Sequence, residues 1–420
     1  MLKNNKFYVK KVARAAGFIL KLCSGQHAYL KYCHVTVETA SHGKGWWNMS
    51  ILQNLLENCI RDIDQVLSYL GITGEEAETL RKVAQRYPVS IPPYYLNLID
   101  PSDPDDPIRK LSVPSAVEAN ADGHEDTSGE SHNTVLTGVQ HKYAQTALVL
   151  TTSQCSMYCR HCFRKRMVGY THEEVTQQIL GMAEYVKARP EINNILLSGG
   201  DAFINENDVI REYLDHLVDI PQLDFIRFGT RTPVVLPMRI YDDPELLDIL
   251  REYSKRKQIY IVTHFDHPHE ITEESKRAVR ALIEAGCPVR NQVVLLKGVN
   301  DDPKVLAELL NSLTAIGVLP YYVFQCRPAK GVLTQFQVPL ERGYEIVAKA
   351  RTLCNGQSKA FRYAMSHVTG KIEILGKLGD EMLFKYHQSK YPENDERLFA
   401  MKLRPDQCWL EDIPGWEGHS

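Results

Sequence analysis

From Ala144 onward the apolar positions fall into short continuous runs separated by amphipathic stretches. "TALVLTT", "INNILLSGG", "DFIRFGT", "QIYIVTH", "VRNQVVLL" and "PYYVFQC" are rich in β-branched and aromatic residues and too short for helices. Between them, "THEEVTQQILGMAEYVKA", "PELLDILREYSKRK", "TEESKRAVRALIEAG" and "DPKVLAELLNSLTAIG" repeat apolar residues at helical spacing. Strand then helix, repeated about six times, predicts parallel strands buried on both faces. The predicted class is α/β, a barrel or partial barrel, with its chemistry at the C-terminal ends of the strands.

The preceding part has a different texture. "NMSILQNLLENCIRDIDQVLSYLG" and "EEAETLRKVAQRYP" carry helical periodicity, with Gly71 and Gly74 as stops. "IPPYYLNLIDPSDPDDPIRKLSVPSAVE" is too proline-rich for regular structure, and "ANADGHEDTSGESHNT" reads as a polar surface loop. The expected divisions are a segment 1–48 with no assigned role and a helical, wrapped extension over 49–140. A barrel core over 141–330 and a C-terminal segment over 331–420 complete the chain.

Composition narrows the class. The chain has 420 residues, 44% hydrophobic and 24% charged, as an ordinary globular protein does. A net charge of −3 supplies no basic field for nucleic acid. No apolar run reaches the roughly 18 residues of a membrane span. The start, "MLKNNKFYVKKVARAAGFILKLCSG", mimics a signal peptide, but Lys21 interrupts its short apolar core. Ten scattered cysteines suit a reducing compartment, so a cytoplasmic enzyme is expected.

Three of those cysteines stand together. "TTSQCSMYCRHCFRKR" sets Cys155, Cys159 and Cys162 within eight residues, after the first barrel strand. A structural zinc site needs four closed ligands. His161 could be the fourth, but it adjoins Cys162, and no second Cys-x-x-Cys pair follows. An iron–sulfur cluster held by three thiolates keeps one iron open for a ligand, and a loop at a barrel mouth suits it.

Here the chain resembles the radical S-adenosylmethionine superfamily and, at greater length, the lysine 2,3-aminomutase family. "PPYYLNLIDPSDPDDPIRK", "CSMYCRHCFRKR", "LLSGGDAF", "RTPVVLPMRI", "THFDHPHEITEE", "RNQVVLLKGVND" and "PYYVFQC" follow that family's pattern in order, over residues 48 to 376. The resemblance implies a partial (β/α)6 barrel of the radical S-adenosylmethionine type with a helical N-terminal extension. It implies a 4Fe–4S cluster on the three cysteines and S-adenosylmethionine against Ser198, Gly199, Gly200, Asp201, His264 and Gln292. Taken alone, "SGGD" is a strand-to-helix turn with an aspartate cap, and a strand-end His264 is a structural histidine. The family also uses pyridoxal 5′-phosphate on a lysine, which falls at Lys371 in "SHVTGKIEILG". By itself Lys371 would be a solvated lysine, as Arg164 would be a solvated arginine. The resemblance gives Arg164 the substrate's α-carboxylate, a task suited to its forked donors. Lys142 stands where the family has a phosphate-binding arginine, and Thr146 replaces a second, so the phosphate cradle must differ.

Two departures bear on substrate and metal. The family's two aspartates for the distal ammonium of lysine are Arg327 and Ala364 here. A lysine ammonium would meet a like charge, whereas a distal carboxylate would be paired. This points to an acidic amino acid, as in a glutamate 2,3-aminomutase. The family's C-terminal cysteine run and its inter-subunit cysteine are also missing: position 302 is Asp and the tail holds only Cys408. No structural zinc is expected. The expected activity is that of an isomerase, an intramolecular aminotransferase moving an amino group from C2 to C3. The alternatives are a relative acting on another substrate, such as a protein lysine, or a non-catalytic iron–sulfur protein. Expected partners are a free amino acid, an electron donor such as flavodoxin or ferredoxin, and further copies of the chain.

Overall fold

The computed structural model describes residues 49–170, 173–411 and 413; the unassigned segment 1–48, with its signal-like start, lies outside the described residues. Among the described residues twelve strands form one sheet in chain order. They are β1 (Thr134–Leu136), β2 (Val139–Tyr143), β3 (Thr146–Thr152), β4 (Asn194–Gly199), β5 (Phe225–Gly229), β6 (Gln258–Thr263), β7 (Val289–Leu295), β8 (Val318–Gln325), β9 (Arg362–His367), β10 (Gly370–Leu378), β11 (Glu381–Ser389) and β12 (Leu398–Met401). The six predicted runs are β3 to β8, and they pair in parallel. A seventh strand, β9, joins them in parallel, although "RYAMSH" lacks the continuous apolar run of the other six. The ends of the sheet are antiparallel: β1–β2–β3 on one side and β9–β10–β11–β12 on the other.

Parallel strands need crossovers, and the amphipathic segments supply them. Helices Ile179–Lys187, Asn207–Leu217, Pro244–Ser254, Glu273–Glu284, Pro303–Ala315 and Leu340–Leu353 cover one face of the sheet. Ile195, Leu197, Ile226, Phe228, Ile259, Ile261, Val293, Leu295 and Val323 are buried in one core with Leu214, Leu250, Leu282, Leu309 and Val347. Each such side chain contributes about 1.5–3 kcal/mol of burial. The opposite side chains, two residues apart along each strand, face a cavity inside the curved sheet. In β7, Val289, Asn291, Val293 and Leu295 are buried, while Gln292 and Val294 line the cavity.

Four local expectations change. The helix read from Thr171, which lies outside the described residues, is present over Ile179–Lys187; Thr176 is tied to the sheet, its N–H donating to the Leu150 carbonyl (2.9 Å). The proline-rich stretch does hold helical turns, Pro93–Leu96 and Pro107–Ser112, each with proline in its first turn, where no amide donor is needed. Gly71 does cap a helix in left-handed conformation, whereas Gly74 opens the next one. The polar stretch 119–134 is no simple surface loop either, since Glu130 and Asn133 are buried over the cavity mouth. Among the described residues no helix is long and apolar enough to cross a membrane.

Candidate active site

The cavity inside the sheet has a volume of about 730 Å³. Cys155, Cys159 and Cys162 line it, together with Ser198, Gly199, Gly200, Asp201, His264, Gln292, Lys142, Arg164, Arg327 and Lys371. The site residues expected from the sequence thus share one enclosure, although they span more than half of the chain.

The cysteine loop is held from behind by the N-terminal extension. Tyr158 N–H donates to the Ser90 carbonyl (3.1 Å), Arg160 N–H to the Leu111 carbonyl (2.9 Å), and Ser90 Oγ to the Ser156 carbonyl (2.7 Å). Arg160, next to Cys159, is buried and forms an ion pair with buried Glu118, which also takes Lys165 Nζ (2.6 Å). This triad lowers the Glu118 carboxyl pKa against its burial, and burial with Arg160 nearby lowers Lys165 to about 8. As free thiols, all three cysteines are pushed up by burial first, Cys162 to about 11. Such thiols ionise once a cationic centre is present. Three cavity-facing sulfurs, one of them accepting from Arg231 Nη1 (Cys159 Sγ, 2.8 Å), fit a cluster with one iron left open.

His161 does not supply the fourth corner. Its Nε2 lies 3.4 Å from Asp266 Oδ2, and its ring meets His264 edge-on at 5.2 Å. His264 Nε2 lies 3.0 Å from the other oxygen of Asp266. These ligand atoms lie within 4.8 Å of one another, as a metal site would need. Arg231, 3.5 Å from Asp266 and 2.6 Å from Glu270, already supplies the positive charge there. Against its burial, the neighbouring histidines and Arg231 hold Asp266 well below the usual carboxylate range, and burial lowers His161.

The "SGGD" turn also joins the sheet to the cysteine loop. A Cβ on Gly199, at φ +119°, would sit 2.3 Å from the Thr152 carbonyl, and one on Gly200 would sit 2.2 Å from the Gln154 carbonyl. The glycines therefore admit the strand end that feeds the cysteine loop. Asp201 is engaged with the chain itself: it accepts from Phe203 N (3.0 Å), Thr230 Oγ1 (2.5 Å) and Arg231 N (2.8 Å). Ser198, Gly199, Gly200 and Asp201 all line the cavity.

Toward the other end, Lys371 opens β10 with its Nζ 5.1 Å from the Tyr322 ring and 5.4 Å from the Tyr143 ring. Burial, then Arg227 and Arg327, bring its pKa down to about 7. A partly buried amine, about half unprotonated at neutral pH, beside aromatic faces fits a carbonyl cofactor such as pyridoxal 5′-phosphate. Lys142 Nζ donates to the carbonyls of His367 (2.5 Å) and Ser128 (3.4 Å). Arg327 lies over Phe163 (4.1 Å to the ring) and donates to Ser128 Oγ; burial lowers it to about 10, and Glu130 opposes that. Ala364 is fully buried and lies on the Ser366 side of β9, outside the cavity lining.

Several cavity residues escaped the sequence reading. Arg164 Nε donates to Glu130 (2.8 Å), whose other oxygen takes Arg166 (2.8 Å). No local signal marks Glu130, because its partners lie 34 and 36 residues away. Arg231 and Glu270 had a weak one, since Glu270 completes a capping box in "HPHE". Tyr143, Tyr322 and Arg227 looked like ordinary strand residues. Asp302 caps the helix Pro303–Ala315 by accepting from Lys304 N (2.8 Å), and the Cys408 carbonyl takes Gln325 Nε2 (3.0 Å).

Residues 149–310 match the model of the Radical SAM superfamily. The chain is 40% identical over 304 residues to the L-lysine 2,3-aminomutase of Clostridium subterminale, covering 72% of each. It is 41% identical over 304 residues to that of Acetoanaerobium sticklandii, again covering 72% of each. It is 37% identical over 305 residues to the glutamate 2,3-aminomutase of Clostridioides difficile, covering 72% of this chain and 71% of that relative.

Proposed function

Since the chain belongs to the lysine 2,3-aminomutase family of radical S-adenosylmethionine enzymes, we propose that it is a 2,3-aminomutase of a free acidic amino acid, with glutamate as substrate and β-glutamate as product. The C2–N bond breaks and a C3–N bond forms while one hydrogen moves from C3 to C2, so the isomerisation needs no net oxidant. Bound here, the reduced cluster with S-adenosylmethionine supplies hydrogen abstraction from an unactivated carbon, and pyridoxal 5′-phosphate supplies the electron delocalisation that lets nitrogen migrate.

In this reading Cys155, Cys159 and Cys162 hold the cluster, and Arg231 steadies Cys159 from behind. Ser198, the glycine backbone, His264 and Gln292 border the space for S-adenosylmethionine. Lys371 offers its neutral amine to the second cofactor between Tyr143 and Tyr322. Arg164 takes the α-carboxylate, and Glu130 on its Nε leaves the two Nη groups for the substrate. A one-electron carrier such as flavodoxin or ferredoxin reduces the cluster, and the enzyme works as a homo-oligomer in the cytoplasm.

The observation that carries the glutamate assignment is the charge around Arg327. Two carboxylates act on it, Glu130 and Asp126. Glu130 is committed to Arg164 and Arg166, and Asp126 to the backbone amides of Ser128, Glu130 and Ser131. Neither is left for a lysine ammonium, whereas Arg327 has donors left for a carboxylate. The identities to lysine and glutamate enzymes are too close together to decide this point.

Anaerobic assays with reductant, S-adenosylmethionine and pyridoxal 5′-phosphate test the assignment. Glutamate should be turned over at least about a hundredfold faster than lysine, since 2.7 kcal/mol of a charge-assisted contact is about that factor. Arg327→Asp should abolish glutamate turnover without producing good lysine turnover. Efficient use of lysine by the parent enzyme would overturn the assignment.

A further inference from the structure

Arg227, on β5, carries a charge that the protein itself does not neutralise. The groups that act on it are Tyr321, Tyr322 and Arg290, and none is a carboxylate. Its Nε is buried without a hydrogen-bond partner. Its Nη2 donates to Asn194 Oδ1 (2.5 Å), and the same oxygen accepts from Thr146 Oγ1 (3.2 Å). Asn194 cannot turn round, because its Nδ2 donates to the Gln145 carbonyl and to Asn193 Oδ1 (both 2.9 Å). The guanidinium is therefore pinned through Nη2, with Nε enclosed by protein and Nη1 free along the remaining edge.

This edge faces the cavity. Thr146, Asn194 and Arg227 all line it. Thr146 and Asn194 are paired at the N-terminal ends of β3 and β4, whereas the cysteine loop follows the C-terminal end of β3. The patch thus lies at the far end from the cysteines, and the charge of Arg227 is felt at Lys371. An orphaned guanidinium in a closed space is costly unless an anion meets it. Its forked donors suit a phosphate monoester better than a single carboxylate does.

We propose that Arg227, held by Asn194 and Thr146, anchors the phosphate of the cofactor carried on Lys371. The proposal rests on the reading of this cavity as a pyridoxal 5′-phosphate site. Lys142 is the rival anchor, but its ammonium is already engaged with two backbone carbonyls. Arg227 is here a binding residue for the cofactor's anion, distinct from the groups that meet the reacting carbons.

The test is equilibrium binding of pyridoxal 5′-phosphate and of pyridoxal, which lacks the phosphate, to the apoprotein, followed by absorbance. Arg227→Gln should weaken pyridoxal 5′-phosphate by about tenfold or more and leave pyridoxal within a factor of about two. Arg227→Lys should recover part of the loss. If Arg227→Gln fails to fold, Thr146→Val, which removes one prop, should still give a phosphate-selective loss of a few-fold. Equal loss of both ligands, no loss of either, or a phosphate-selective loss confined to Lys142→Gln would overturn the proposal. A parent protein that binds neither ligand would overturn the cofactor reading beneath it, and that result is distinct from all the others.

Discussion

Lys371 shows how a single side chain is made reactive by where it sits. Its ordinary pKa of 10.5 falls to about 7, first through burial and then through Arg227 and Arg327. At neutral pH much of it is therefore an unprotonated nucleophile, whereas a solvated lysine would be almost wholly charged. The rate at which the apoprotein captures pyridoxal 5′-phosphate should rise with pH and reach half its maximum near pH 7. Borohydride trapping should then leave the pyridoxyl group on the Lys371 peptide. A half-maximum near pH 10, or label on another lysine, would contradict this. The sign for stability follows from the same shift. Between about pH 7 and 10.5 the unfolded chain binds this proton and the folded chain does not, so stability gains with rising pH across that window. Below about 7 both states hold it and the cost is felt in full.

At the scale of elements, the cysteine loop is positioned by a segment that looked irregular. The carbonyls of Ser90, just before the proline-rich stretch, and of Leu111 within it accept from Tyr158 N and Arg160 N, and Glu118 gathers Arg160 and Lys165 behind the loop. Glu118 is fully buried, so removing it leaves two buried cations facing each other. Glu118→Ala should cost about 3–5 kcal/mol, read from chemical unfolding of the apoprotein, and should lower cluster content after anaerobic reconstitution. A loss below about 1 kcal/mol would show that the triad does not hold the loop. The helix Ile179–Lys187 teaches a related lesson. Periodicity alone extends it to Thr171, but Gly138 and Leu150 tie Thr176 against the sheet, and the backbone there cannot serve both.

For the molecule as a whole, the cavity collects more positive charge than its own acids answer. Lys142, Arg227 and Arg327 line it without a direct ion pair, while Glu130 is shared between two other arginines, Glu396 pairs with Lys385 and Asp395 accepts from Ser389 N. An anion bound there stabilises the folded state by mass action. At a hundred times its dissociation constant, pyridoxal 5′-phosphate should contribute about 2.7 kcal/mol, or about 3 °C in melting temperature for a chain this long. A thermal-shift series checks this, with pyridoxine expected to do less at the same concentration. An unchanged melting temperature at saturation would argue against a preformed anion site.

The chain's local pattern was enough for the class of fold and for the cysteine triplet. Strands β3 to β8 are continuous apolar runs, and a three-cysteine spacing is short-range information. The family pattern carried Lys371, Arg164 and Arg327 to one site before any coordinates. Only the tertiary structure decided what those residues touch. Glu130 on Arg164, Asp266 between His161 and His264, and Arg227 on Asn194 all join residues that no periodicity links. It also showed that Asp201 and the two glycines, which line the cavity, form the joint that receives the cysteine loop. The reason is physical: period and propensity act over a few residues, whereas pairing a buried charge depends on which strands the sheet brings face to face.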